Sequence, residues 1–267
     1  HKPSMMGILN VTPDSFSDGG LFYSRQDALK QALRMVDEGA AIVDIGGEST
    51  RPGADPVGVE EELERVVPVI ELLRNESDTI ISVDTSKAEV MKSAVAAGAN
   101  MINDVSALSE QGALSMAAEL QVPVCLMHMQ GKPRTMQKQP HYDNGVVHDV
   151  KDFLAARVRA AMDAGIPRSS LIIDPGFGFG KTLQHNYELL NGLAELQSLG
   201  LPILVGISRK SMIGNLLNVG IEERLAGSLA AAVLAMERGA SIFRVHHVAE
   251  TRQALTVVSA CLRDGNL

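Results

Sequence analysis

A short apolar run that ends on a polar side chain and then breaks into a loop recurs along most of this chain. The stretch Leu171-Ile-Ile-Asp-Pro-Gly-Phe-Gly-Phe-Gly-Lys-Thr182 shows the pattern most fully. Three aliphatic residues demand burial and Asp174 does not. Pro175 and Gly176 then turn the chain away, which puts Asp174 at the mouth of a buried strand. Similar runs lie at Met5–Leu9 before Asn10, Ala40–Ile45 around Asp44, Thr79–Val83 before Asp84 and Asn100–Ile102 before Asn103. Val124–Met127 before His128, Pro202–Gly206 before Ser208 and Ser241–Val245 before His246 complete the series.

Helical patterns lie between these runs. A Ser24 cap opens one that runs to about Glu38, and Ser86-x-x-Glu89 reads as a capping box for another that stops near Gly98. Further helices are expected at about 60–75, 109–122, 148–164, 186–198, 222–238 and 249–263. Strand-helix alternation implies parallel pairing with right-handed crossovers. Eight such units within 267 residues and no linker predict a single-domain α/β (β/α)8 TIM barrel over residues 1–267. A doubly wound open sheet is the competitor, but it ordinarily has fewer strands and a recognisable switch point. In a barrel all the polar strand ends converge on one face, where barrel active sites lie.

Bulk properties narrow the partners. A 45% hydrophobic content with no Trp and 3% aromatics predicts a sizeable, aliphatic core. The net charge of −8 and the lack of a basic block argue against nucleic acid or an anionic membrane. No apolar run is long enough to span a bilayer and no signal peptide is visible. The abrupt opening at His1 leaves room for an upstream segment. Cys125 and Cys261 read as two reduced thiols of a cytoplasmic protein. Gly180-Lys-Thr182 suggests a phosphate loop, but the glycine its pattern requires at 175 is Pro175.

Taken singly, the strand-end residues have ordinary explanations. An Asp after a strand commonly caps the next helix. His128, between two methionines, reads as a hydrogen-bonded core histidine, and Arg209 as a structural ion pair. His246 and His247 should point to opposite faces, a poor metal pair. Taken together the set points to a functional mouth, because packing alone has no reason to make every strand end polar. Asp84, Asn103 and Asp174 supply acceptors and an amide for a flat, donor-rich heterocycle. Arg244, His246 and Asn10, with loop residues Ser49, Thr50 and Arg51, could meet an anion. No Ser-His-Asp or Cys-His nucleophile set is evident, so a covalent enzyme intermediate is disfavoured.

The segments 10–20, Asp44-Ile-Gly-Gly-Glu-Ser-Thr-Arg-Pro-Gly53, 174–181, Ser208-Arg-Lys210 and Arg244-Val-His246 resemble dihydropteroate synthase, in order and over nearly the whole chain. The resemblance implies condensation of 6-hydroxymethyl-7,8-dihydropterin pyrophosphate with p-aminobenzoate, with Mg2+, in a homodimer. It implies that Asp84, Asn103, Met127, Asp174, Lys210 and Arg244 hold the pterin, with Asp84, Asp174, Lys210 and Arg244 catalytic. Pyrophosphate falls to Asn10, Thr50, Arg51, Arg244 and His246, and the metal to Asn10. Phe16, Arg51, Pro52, Phe179, Ser208 and Lys210 would line the p-aminobenzoate slot. His247 departs from the family pattern, which has Asp there. A pterin-binding methyltransferase would share the barrel and the heterocycle pocket but lack the two loops and Ser208-Arg-Lys210. A catalytically silent binding protein would have lost pyrophosphate residues, and none is lost.

Overall fold

The structure, a computed structural model, describes residues 2–12, 20–50, 54–131 and 139–262. Its strands are β1 (Ser4–Asn10), β2 (Ile42–Gly46), β3 (Ile80–Asp84), β4 (Met101–Asp104), β5 (Val124–Met127), β6 (Leu171–Asp174), β7 (Ile203–Val205) and β8 (Ala240–Val245). They pair in parallel, in sequence order, and β8 returns to β1 to close a barrel. The expected TIM barrel is the fold.

Side chains alternate between two environments because a strand has a period of two. Val43, Ile45, Ile81, Val83, Ile102, Leu126, Ile173, Val205 and Phe243 join the main core, which packs the barrel against its helices. Met6, Ile42, Met101, Cys125, Leu204 and Ile242 form a separate buried cluster inside the barrel. Two residues further along the chain from these stand Ile8, Asp44, Asn103, Met127, Gly206 and Arg244. The apolar plug therefore dictates which side chains form the floor above it.

Helices α1 (Gly20–Asp37), α2 (Val59–Glu76), α3 (Ala88–Ala97), α4 (Ala113–Leu120), α5 (Val146–Asp163), α6 (Leu183–Asn191), α7 (Ser211–Leu217), α8 (Leu225–Glu237) and α9 (Val248–Leu262) alternate with the strands. Their apolar faces cover the barrel, as Val66, Val69, Ile70 and Leu73 of α2 do with no exposed surface. Burying each such side chain is worth about 1.5–3 kcal/mol.

Two local expectations fail, and one helix was not foreseen. Ser24 lies inside α1 rather than at its start. Ser86 does not cap α3, whose N-cap position is Lys87 with no side-chain bond. Instead Ser86 Oγ donates to Asp104 Oδ1 at 2.5 Å, a stronger partner than a helix N–H because it is a buried carboxylate. The seven-residue α7 was not anticipated: it carries Gly214 and no capping signal.

Candidate active site

The glycine-rich loop after β6 is held by its lysine. Lys181 is buried, and its Nζ meets Gly176 O at 2.8 Å, Phe179 O at 3.0 Å and His128 Nδ1 at 2.9 Å. Burial pushes its pKa well below the ordinary range, with Asp174 opposing that shift. Burial, and then Lys181 itself, hold His128 down to about 2, so the ring is neutral. With three partners already around its Nζ, Lys181 has nothing left for a phosphate. Thr182 caps α6 in a reciprocal pair with His185. The apparent phosphate loop is therefore a structural clamp. Gly176 (φ +70°) and Gly180 (φ +67°) must be glycine, since a Cβ would fall 1.8 Å from His128 O and 2.4 Å from Gln130 O.

Charge is concentrated on the barrel floor. Arg244 on β8 donates from Nε to Asp44 Oδ2 at 2.6 Å and from Nη2 to Asp84 Oδ2 at 2.8 Å. Asn103 Nδ2 donates to the same Asp44 oxygen at 3.1 Å. Asp44 was read only as a strand end, yet its carboxylate, with no exposed surface, organises this floor. Burial pushes Asp84 up to about 7, Arg244 pulls it down and Asp44 pushes it further up. Burial would lower Arg244, but Asp44 and Asp84 outweigh it and its pKa is raised.

Asp174 and Lys210 form the other side. Asp174 Oδ1 accepts from the Gly176 N–H at 2.7 Å. Its carboxyl is raised by burial, with Lys210 the chief opposing influence. Lys210 follows β7; its Nζ donates to Phe177 O and stands 4.6 Å from the centre of the Phe179 ring. Burial lowers its pKa to about 8, against the pull of Asp174. Ser208 Oγ lies 3.0 Å from His246 Nδ1 and accepts from the His246 N–H at 3.2 Å. His247 turns away to accept from Arg209 Nε at 3.0 Å.

A cavity of about 490 Å³ opens at this end of the barrel. Asn10, Thr50, Phe179, Ser208, Lys210, Arg244 and His246 line it, so residues that the resemblance gives to pyrophosphate and p-aminobenzoate share one space. Asp84 lines a neighbouring cavity of about 550 Å³. Asn103, Met127 and Asp174 line neither, and all three are buried in the floor or wall. Phe16, Arg51 and Pro52 lie outside the described residues. Among the described residues no cluster of His, Cys, Asp or Glu is built to cage a metal ion.

Residues 6–246 match the family described as pterin binding enzyme. The dihydropteroate synthase of Escherichia coli K12 is 57% identical over 260 residues, which is 97% of this chain and 92% of that protein. The chain belongs to the dihydropteroate synthase family of pterin-binding enzymes. It is an enzyme, a transferase. Two dihydropteroate synthase structures from Xanthomonas albilineans share the fold. The one with 4-aminobenzoic acid has a TM-score of 0.92 at 55% identity, covering 98% of this chain and 93% of its own. The one in complex with 7,8-dihydropteroate has a TM-score of 0.89 at 52% identity, covering 98% and 94%.

Proposed function

We propose that this chain joins 6-hydroxymethyl-7,8-dihydropterin pyrophosphate to p-aminobenzoate, giving 7,8-dihydropteroate and pyrophosphate by a dissociative substitution. The observation that carries the reading is the pairing of two chemistries in one barrel mouth. Carboxylates Asp44, Asp84 and Asp174 lie below, while Lys210, Arg244 and His246 line the cavity above.

Loss of pyrophosphate breaks the C–O bond, and the oxygen keeps the electron pair. The pterin is left as a delocalised cation. Asp84 and Asp174 are the acceptors for the ring N–H groups, and such bonds favour their ionised forms. As carboxylates they stabilise that cation in a water-poor floor. Arg244, joined by His246 and Thr50, offers charge and donors to the departing pyrophosphate. Ser208 and Lys210 hold the p-aminobenzoate carboxylate, and Phe179 packs on its ring. The arylamine is neutral at pH 7, so its attack needs positioning more than a strong base, and its proton leaves to solvent.

Asn10 offers a hard oxygen ligand at the end of β1, beside Ser49, Thr50 and His246 in the same cavity. Such a site suits Mg2+ carried in with the pyrophosphate, because that ion keeps water and phosphate ligands and needs few from protein. When bound it would neutralise charge on the leaving group.

A homodimer in the cytoplasm belongs to the same reading. Two free thiols, Cys125 and Cys261, support the compartment. Among the described residues no helix is long and apolar enough to cross a membrane. The test is pyrophosphate release from the pterin substrate with and without p-aminobenzoate, alongside formation of dihydropteroate. Release of pyrophosphate in the absence of the amine supports a dissociative path, whereas release only in its presence would mark direct displacement. Absence of dihydropteroate would remove the reading.

A further inference from the structure

The loop between β2 and α2 carries Thr50 over the mouth, and the described part of its stem is fastened at two points. Arg65 Nη1 donates to Gly47 O at 2.6 Å, and a Cβ on Gly47 would meet Val66 Cγ1 at 2.9 Å. The next residue, Glu48, reaches Lys87, at the N-terminus of α3, and the two form an ion pair. The same Lys87 ammonium donates to Glu62 Oε2 of α2 at 2.5 Å. One cation thus joins the loop, α2 and α3. Lys87 follows Asp84 by three residues, so the fastening is tied to the strand end that carries a floor carboxylate.

The charges explain why the lysine is needed. Glu62 has no exposed surface, and its Oε1 lacks a hydrogen-bond partner among the described residues. Without Lys87 it would face Glu48 as a second negative charge and push the loop off α2. Burial alone would lower the Lys87 pKa, but hydrogen bonds to Glu48 and Glu62 outweigh it and the net shift is upward. Glu48, Ser49, Thr50, Glu62, Asp84 and Lys87 all line the second cavity, and Ser49 and Thr50 also line the first. The ion pairs therefore stand one or two residues from side chains that face both spaces.

We propose that Lys87 is a positioning residue for the condensation, acting through Glu48 to hold Ser49 and Thr50 at the barrel mouth. The inference rests on the reading of the preceding section. Lys87 touches no substrate. Its effect falls on the ligands that need the loop, p-aminobenzoate and pyrophosphate, and spares the pterin ring, which the floor holds.

Kinetics of E48A, K87M and K87R, with calorimetry on a dihydropterin lacking the pyrophosphate, test this. E48A keeps the Lys87–Glu62 pair, so the fold survives even where K87M loses it. E48A should raise KM for p-aminobenzoate by up to about 100-fold, the scale on which a small misplacement far from the chemistry acts. Affinity for the dihydropterin should stay unchanged, and K87R should restore most of what K87M loses. Wild-type kinetics in E48A would overturn the proposal. So would an equal loss of dihydropterin affinity, which marks general damage to the mouth. Wild-type protein that forms no dihydropteroate overturns the parent reading instead, and the parallel assay separates the two failures.

Discussion

Arg244 donates from Nη2 to Asp84 Oδ2 at 2.8 Å, joining β8 to β3 across the top of the barrel. A pterin reading Asp84 must share that carboxylate with the guanidinium or displace it. Asp44, which holds Nε of the same guanidinium, decides how easily this happens. Asp44→Asn should lower stability by about 2–4 kcal/mol, because it leaves Arg244 with one carboxylate instead of two. Urea denaturation measures it, and an unchanged midpoint would show that Asp84 alone suffices.

Asp174→Asn should weaken dihydropterin binding by about 2–4 kcal/mol if the carboxylate reads ring N–H groups. The amide oxygen can still accept from the Gly176 N–H, so the loop after β6 should survive. Calorimetry showing wild-type affinity would take Asp174 out of the site.

The p-aminobenzoate step should lose efficiency above about pH 8, where Lys210 gives up its proton. The profile of kcat/KM for p-aminobenzoate is the measurement, and Lys210→Met should abolish the limb at a lower plateau. Stability moves the other way. Folded Lys210 titrates lower than the unfolded side chain, so between about pH 8 and its unfolded value of 10.5 the unfolded chain binds more protons. Its contribution to folding therefore improves as pH rises through that window. An alkaline limb that persists in the Met variant would belong to another group.

Saturating pyrophosphate with Mg2+ should tighten p-aminobenzoate binding. Asn10 and Thr50 line the same cavity as Ser208 and Lys210. Pyrophosphate with Mg2+ held by the first pair would complete the wall against which the second ligand binds, which is positive coupling between sites. Equal affinities in titrations with and without pyrophosphate would mean the slot is preformed.

Light scattering at micromolar concentration should give a dimer. Ala226, Ala230 and Leu234 lie exposed along one face of α8, and Leu216, Leu217 and Ile221 are exposed nearby in sequence. The two alanines permit close approach of a second helix, and the exposed leucines and isoleucine offer it apolar surface. A monomer would leave these side chains to solvent.

The barrel was legible because fully buried parallel strands write themselves as aliphatic runs with abrupt polar ends. Val124–Met127 and Leu171–Asp174 have the expected boundaries. Ser86 misled because a serine before a helix reads as a cap whichever partner it finds. Its carboxylate, Asp104, is eighteen residues away, and only the β3–β4 pairing brings them together. Asp44 gave its position but not its importance, since nothing local announces that Arg244 will cross the barrel to it. The Lys181–His128 clamp and the Glu48–Lys87–Glu62 fastening were invisible for the same reason: both are long-range pairings of common residues.

The alternation along β2 couples folding of the chain to its chemistry. Ile42 fills the barrel, Val43 packs under the helices and Asp44 holds Arg244. A single-residue insertion before Ile42 would turn Asp44 into the helix layer and an aliphatic side chain onto the floor. Folding and turnover would fail in one stroke. This barrel can therefore be retuned by exchanging side chains in place or by lengthening its loops, but not by sliding a strand.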